Sequence, residues 1–280
     1  MKQAFTRWTL IGVATLAVGP ALAALTASVG DGRGGHATTL LVSASPVASL
    51  VVGALAIMVA AGYGVLAGRL STPRLGLFCA GAAIAWPAFT GATAESLIRE
   101  AQSTGPLWRM SIEMLLVAAL GLAATRVIAA RRDFADISGD GDPEETFGRQ
   151  GALGAGVSFA AAVFAGWVIA REGTPGQNLA AAWIASIAAV AAGRSVAPRA
   201  SLVACVAGVF LVGVLGPIAG ALAQGSEIVP VAYTNTLLPL ARITPLNWLA
   251  GAWLGAPMGA AWAATTIEQQ SESPGAPARA

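Results

Sequence analysis

The sequence predicts an all-α fold, a polytopic transmembrane helix bundle of about eight spans. Hydrophobic residues make up 56% of the 280 residues and charged residues only 11%, whereas roughly 25% of an ordinary soluble domain is charged. The apolar residues also gather in runs of about 20, the length at which a helix crosses a bilayer. A water-soluble chain could not cover itself with so few polar side chains, so lipid is the predicted solvent.

Eight apolar stretches are candidate spans, of which the second is long and the sixth is short. They cover 8–29, 40–67, 75–93, 107–130, 151–170, 177–193, 200–224 and 245–265. The first stretch has an alternative interpretation, because Lys2 and Arg7 precede it and Ala21-Leu22-Ala23-Ala24 resembles a signal-peptidase site. Cleavage of residues 1–23 therefore stays open beside a full first span.

Charged and polar segments divide the chain further. The predicted divisions are a transmembrane half at 1–130 with spans one to four, an acidic cytoplasmic linker at 131–150, a transmembrane half at 151–266 with spans five to eight, and a polar tail at 267–280. The linker carries Asp133, Asp136, Asp140, Asp142, Glu144 and Glu145. Such a run of like charges is typical of a solvated segment.

Two loops of the chain share one pattern. The segments 68–74 and 193–199 both read G-R-x-x-x-P-R. Four spans separate them, so the two copies have the same direction, and the pattern predicts two parallel four-helix repeats. The alternative is a chance match, since short arginine and proline turns are common in cytoplasmic loops.

The basic residues predict the orientation. With the N-terminus inside, eleven of the sixteen basic residues lie on the cytoplasmic side and five on the outer side. Basic residues resist translocation, so both termini are predicted to be cytoplasmic, in the plasma or inner membrane. Lys2 is the only lysine, and this bias, with the many alanines and glycines, is typical of a GC-rich bacterial genome.

Charged residues within a membrane are costly and are therefore the first candidates for function. Glu113 lies inside the fourth span, with Arg109 four residues before it. Glu95 and Arg99 have the same spacing in a segment predicted to form a short helix along the outer interface. With Glu100, these residues are candidates for an outward-facing polar vestibule on a substrate path. The alternative is two interfacial ion pairs that anchor helix ends.

Other candidates lie in the seventh and eighth spans. Pro217 and Pro257 interrupt these helices, because a proline leaves the carbonyl one turn earlier without its hydrogen bond. Transporters bind their substrates at such broken helices. Arg242 lies in an apolar stretch between the two spans. It is predicted either to extend to the outer surface or to be buried against Glu227 or Glu113.

Small and aromatic residues predict how the helices pack. Gly251, Gly255 and Gly259 form a G-x-x-x-G-x-x-x-G seam in the eighth span, which favours close helix packing within the chain over a homodimer seam. Trp248 and four other tryptophans fall toward the outer ends of their spans, as in an interfacial aromatic belt.

The sequence carries few signals for cofactors. Cys79 and Cys205 fall in apolar runs and do not make a disulfide framework or a metal site. His36, the only histidine, lies in a glycine-rich loop, where a solvated side chain is expected. We therefore predict no cofactor, no bound metal and no nucleic-acid partner.

Three functions are compatible with these features. A small-molecule or ion transporter would use the kinked helices and the Glu113 and Arg109 pair. A non-catalytic subunit of a membrane complex, with membrane-protein partners, would use the small-residue helix faces. An enzyme acting on a lipid-linked substrate would use Glu95, Glu100 or Glu113 as acid or base. The sequence favours the transporter weakly and does not name a substrate.

Overall fold

The structure is a computed structural model. It describes residues 2–29, 40–43, 45–91, 93–129 and 144–272. His36, the linker up to residue 143 and the end of the polar tail lie outside the described residues. Within the described ranges the secondary structure is helical apart from one isolated bridge between Glu145 and Ala200, which confirms the predicted all-α bundle.

Eleven α-helices make up the described bundle. They are α1 (Lys2–Val13), α2 (Gly19–Ala27), α3 (Pro46–Leu70), α4 (Pro73–Thr90), α5 (Ala94–Ala101), α6 (Gly105–Ala129), α7 (Arg149–Ile169), α8 (Pro175–Val196), α9 (Leu202–Gln224), α10 (Ile228–Tyr233) and α11 (Pro245–Glu272). A π-helical turn, Ala14–Val18, joins α1 to α2 in one continuous segment. Pro46, Pro73 and Pro175 stand in the first turn of their helices, where the missing N–H has no intrahelical partner.

Within the described ranges, seven helical segments are long and apolar enough to cross a membrane. The chain is therefore a multi-pass membrane protein whose outer helix faces contact the lipid bilayer. α11 coincides with the eighth predicted span and is long enough, but it is not among the seven. Its polar and weakly apolar residues, such as Asn247, lower its hydropathy, so the count of eight spans stays a prediction.

α11 is the core of the bundle. Every residue from 245 to 257 is buried, mainly against α8 and α4. Gly251, Gly255 and Gly259 lie directly on the backbone of α8: a Cβ atom on Gly255 would come within 2.6 Å of the Trp183 carbonyl oxygen. The glycine seam is thus an intramolecular contact that lets two backbones approach closely.

Trp248 of α11 is not part of an aromatic belt. It is fully buried, and its indole ring contacts Gly213 of α9, where a Cβ atom would come within 2.8 Å of the ring. The absence of a side chain at Gly213 leaves room for the ring inside the bundle. The assignment of Trp248 to the interface was wrong because sequence position does not distinguish a lipid-facing ring from a core ring.

One end of the bundle is closed by residues 91, 93–104, 170–174 and 225–244, and we call it the Glu95 end. Residues 225–240 lie between the seventh and eighth predicted spans, but the apolar residues among them fold into α10, whose Ile228 and Ala232 pack in one cluster with α5. The segment after α10 is mostly irregular: it is exposed at residues 234–236 and buried from 240 to 244, and the Leu240 carbonyl lies against Gly216 of α9.

The opposite end, which we call the Arg194 end, holds the described part of the predicted linker. The Glu144 carboxylate pairs with Arg194 of α8 at 2.8 Å, and the arginine is fully buried. Glu145 exchanges backbone hydrogen bonds with the segment before α9, at 2.8 Å to the Arg199 carbonyl and 2.9 Å from the Ser201 N–H. The prediction of a solvated segment was wrong for these two glutamates, because both are partly buried and bonded to the bundle.

Candidate functional site

The Glu95 end contains a polar cavity of about 510 Å³. It lies between α5, the short connection from α7 to α8, and the segment after α10. We call it the Arg99 pocket, and its lining residues are Arg99, Arg171, Glu172, Gly173, Thr174 and Asn235.

The fold of α5 places Arg99 in the lining of this pocket and Glu95 behind the lining residue Gly173. Thr93 caps the helix by accepting a hydrogen bond from the Ser96 N–H at 3.3 Å, and Gln102 ends it in the left-handed conformation at φ 51°. Glu95 lies in the first turn, where the helix dipole favours a negative charge, and it faces the protein interior. Arg99, one turn later, lines the pocket and stacks over the Tyr233 ring at 5.7 Å.

A buried ion pair between Glu95 and Arg242 lies beside the pocket, where the Glu95 carboxylate contacts the lining residue Gly173. Arg242 is 2% exposed and Glu95 is 1% exposed, and Arg242 Nε lies 3.2 Å from Glu95 Oε1. The arginine also donates to three backbone carbonyls. Its Nε–H donates to Leu237 at 2.9 Å, and its two terminal nitrogens donate to Arg171 and Asn235. Arg242 thus joins the two loops that line the Arg99 pocket.

The Glu95 carboxylate is bound less completely than the arginine. The single N–H of Arg242 Nε points to the Leu237 carbonyl, so the contact with Glu95 is an ion pair without a hydrogen bond. Among the described residues, neither oxygen of Glu95 accepts a hydrogen bond. The carboxylate instead lies against the backbone of Gly173, where a Cβ atom would come within 2.7 Å of Glu95 Cδ. A buried carboxylate without hydrogen bonds is costly.

Two buried asparagine side chains bond to Arg242 or to a residue that follows it in sequence. The Asn178 side chain of α8 donates to the Arg242 carbonyl at 3.2 Å, and the Asn247 side chain of α11 donates to Thr244 Oγ1 at 2.8 Å. The side-chain oxygens of both asparagines are buried without a hydrogen bond within the described part of the chain. This end of the core is therefore polar, with acceptors available to water or to a solute.

Glu113 occupies a separate position. It is fully buried on α6 and its Oε2 accepts the Leu41 N–H at 3.1 Å. Arg109 is exposed on the same helix. The predicted Glu113 and Arg109 pair is wrong, because one side chain faces the core and the other faces away from it.

The predicted partners of the other candidates also differ. Glu227 is exposed, and Arg242 pairs with Glu95 instead of Glu227 or Glu113. Because Glu95 faces inward to Arg242, the predicted pair of Glu95 with Arg99 is wrong as well. Glu100 lies at the exposed end of α5.

The two prolines do not line the Arg99 pocket. Pro217 is buried in α9 beside the irregular segment after α10, and Pro257 lies toward the Arg194 end of α11. The structure thus brings together Glu95, Arg99 and Arg242 from the sequence candidates.

Sequence reasoning missed the remaining residues of the pocket. Arg171, Glu172 and Thr174 lie in a connection of five residues between α7 and α8. The available signal for this part of the site was the pair of adjacent opposite charges, Arg171 and Glu172, in so short a connection. Asn235 has φ 53°, a left-handed conformation that asparagine tolerates better than most residues, but the sequence does not reveal that conformation.

A metal centre is not indicated by the side chains in the described ranges, which hold no group of three or more metal-ligating residues. The chain matches no family model, no curated protein and no solved structure. The site is a polar pocket beside a buried ion pair, in a multi-pass membrane protein.

Proposed function

We propose that the chain is a transporter for small anionic solutes and that the Arg99 pocket receives the solute. The observation that carries the proposal is the buried Glu95 and Arg242 pair, whose carboxylate has no hydrogen bond among the described residues. Replacing such a pair by apolar residues is often neutral or stabilising in proteins. A buried charged pair in contact with the residues that line a polar pocket is therefore better explained by solute binding than by stability.

The charges of the site favour an anion. Its described side chains include three guanidinium groups, Arg99, Arg171 and Arg242, and two carboxylates, Glu95 and Glu172. A guanidinium group recognises carboxylate or phosphate through paired N–H groups. A volume of about 510 Å³ falls within the range of small-molecule sites, roughly 300–1,000 Å³.

The ion pair offers a specific step in transport. A solute carboxylate or phosphate that reaches Arg242 competes with Glu95, which is held by charge alone. Arg242 also binds carbonyls from the 171–174 and 235–242 segments, so it stays in place while its anionic partner changes from Glu95 to the solute. Irregular backbone at depth, like that around Leu240, is typical of transporters where it lines a solute path.

The orientation of the pocket is part of the proposal. The positive-inside distribution, with eleven of sixteen basic residues in segments predicted to be cytoplasmic, supports an Arg99 pocket that opens to the outside. The chemistry of the pocket supports an enzyme less well, since none of its described lining residues is a serine, cysteine or histidine.

Uptake into proteoliposomes tests the proposal. The purified chain is reconstituted, and the uptake of radiolabelled acetate, succinate and inorganic phosphate is compared with that of empty vesicles. We expect uptake of at least one of these anions. Arg171→Gln removes one anion-binding group and is expected to lower it about tenfold, since a hydrogen bond to a charged group contributes roughly 1.5–3 kcal/mol.

The matched control is Arg109→Gln, which removes an exposed arginine that does not line the pocket. Its uptake should equal that of the unchanged chain. If folded protein takes up none of the three anions faster than empty vesicles, or if both variants behave alike, the proposal is wrong.

A further inference from the structure

A second cavity lies at the Arg194 end of the bundle, far from the Arg99 pocket in the fold. It is a groove of about 600 Å³ between α1, the start of α4 and the later part of α11. We call it the Arg7 groove. Its polar lining residues are Arg7, Thr72 and Arg74, and its apolar lining includes Phe78, Pro257 and Met258.

The polar part of the groove carries positive charge from three sources. Arg7 is exposed at its mouth, and Arg74 stands in the first turn of α4. Thr72 caps α4 by accepting the Leu75 N–H at 3.3 Å, so the positive end of the helix dipole also faces this region. Two arginines beside the N-terminus of an 18-residue helix favour a phosphate group.

The groove is held in shape by contacts of α1. Tyr63 of α3 donates its hydroxyl hydrogen to the Leu10 carbonyl at 2.7 Å. Leu10 and Ala14 are buried in one cluster with Cys79 of α4. α1 is therefore fixed beside α4, and Arg7 is placed next to the start of α4 before any ligand binds.

The surface around Arg7 identifies lipid as the source of the phosphate. Phe5 is 76% exposed and Trp8 is 72% exposed, and a large aromatic side chain this exposed on a membrane protein is typical of the membrane interface. Phe78 and Met258 continue the apolar surface into the groove. A free phosphate ion would use the arginines but not these apolar walls.

We propose that the Arg7 groove binds an anionic phospholipid, with the phosphate between Arg7 and Arg74 and an acyl chain along Phe78 and Met258. Pro257 forms part of the wall, which gives this proline a role outside the solute path. The inference is independent of the transport proposal, because the two cavities share no lining residue.

Native mass spectrometry of the detergent-purified chain tests the inference. The protein is mixed with equal concentrations of phosphatidylglycerol and phosphatidylcholine, and the bound lipids are counted. We expect the phosphatidylglycerol adduct to predominate and to fall about fivefold in Arg7→Gln, since one arginine near a membrane surface contributes roughly 1 kcal/mol. The double variant Arg7→Gln/Arg74→Gln should bind the two lipids equally.

Arg69→Gln is the matched control, because Arg69 is an exposed arginine at the end of α3 beside the same loop. It should keep the preference for phosphatidylglycerol. Arg7 is itself exposed, so its replacement does not threaten folding. Equal binding of the two lipids by the unchanged chain overturns the inference. An equal loss in Arg69→Gln, or arginine-dependent binding of inorganic phosphate without any lipid preference, overturns it too.

Discussion

Two buried arginines, Arg194 and Arg242, lie at opposite ends of the bundle and are satisfied differently. Arg194 relies on one carboxylate, Glu144, at 2.8 Å, and two of its nitrogens are buried without a hydrogen bond among the described residues. Arg242 has three carbonyl acceptors in addition to Glu95. The backbone therefore holds Arg242 in place whether or not Glu95 is engaged, which is the property expected of a residue that exchanges one anion for another.

Arg242→Met tests how much this residue contributes to the free energy of unfolding. The substitution leaves the Glu95 carboxylate buried without its cation and three carbonyls without their donor. We expect the free energy of unfolding in detergent to fall by about 3–5 kcal/mol. Adding Glu95→Leu should recover part of the loss, because the uncompensated charge is then gone.

Arg109→Met is the control for that experiment. Arg109 is exposed, so its replacement should change the unfolding free energy by less than about 0.5 kcal/mol. A loss below about 1 kcal/mol in Arg242→Met would contradict the burial of the pair, since a broken buried ion pair costs several times more.

At the scale of elements, the contact between α8 and α11 depends on glycines. The methyl group of Gly255→Ala would lie 2.6 Å from the Trp183 carbonyl oxygen and 2.8 Å from Ser186 Cβ. Because backbone atoms cannot turn aside, the two helices must separate. We expect a loss of about 1–3 kcal/mol in unfolding free energy, measured by tryptophan fluorescence during chemical unfolding in detergent.

Gly62→Ala is the matched control on α3. No heavy atom lies within 4 Å of the position that its Cβ would take, so the change should be neutral or stabilising by up to about 1 kcal/mol. Equal effects of the two substitutions would show that helix propensity, and not backbone contact, decides the result at Gly255.

The two G-R-x-x-x-P-R loops differ in their surroundings although their sequences agree. Arg69 of the first loop is exposed, whereas Arg194 of the second is fully buried against Glu144. The helix contacts are more alike. In the predicted duplication α4 corresponds to α9 and α6 corresponds to α11, and the structure packs α4 on α11 and α9 on α6. Duplication therefore stays a prediction, one that these crossed contacts favour and the divergent arginines do not.

At the scale of the whole molecule, hydropathy predicts the helices well and the contacts poorly. Long apolar runs are a local property, and the eight predicted stretches begin and end near the long helices. The short helix around Glu95 was predicted instead from the spacing of its charges. The partner of Arg242 is not local: Glu95 lies in the first half of the chain and reaches the arginine only through the packing of α5. Trp248 was misassigned for the same reason, since only the fold reveals the space beside Gly213.

The orientation of the whole bundle can be measured by cysteine labelling. In a background of Cys79→Ala and Cys205→Ala, a single cysteine replaces exposed Leu70, Ser195 or Thr236. We expect a membrane-impermeant thiol reagent, added to intact cells, to label the position 236 variant alone, because the basic residues favour a cytoplasmic Arg194 end. Labelling at position 70 or 195 contradicts this orientation, and labelling at only one of these two contradicts the bundle topology as well.

The central position of α11 bears on how the protein is made. The ribosome produces α4, α8 and α9 before it produces the helix that packs between them, and α11 is not among the seven segments apolar enough to cross a membrane. Insertion from the translocation channel depends on apolarity, so we expect α11 to rely more than the other long helices on its glycine contacts with α8. Until α11 has been synthesised, the face of α8 that packs against its glycines lacks its partner helix.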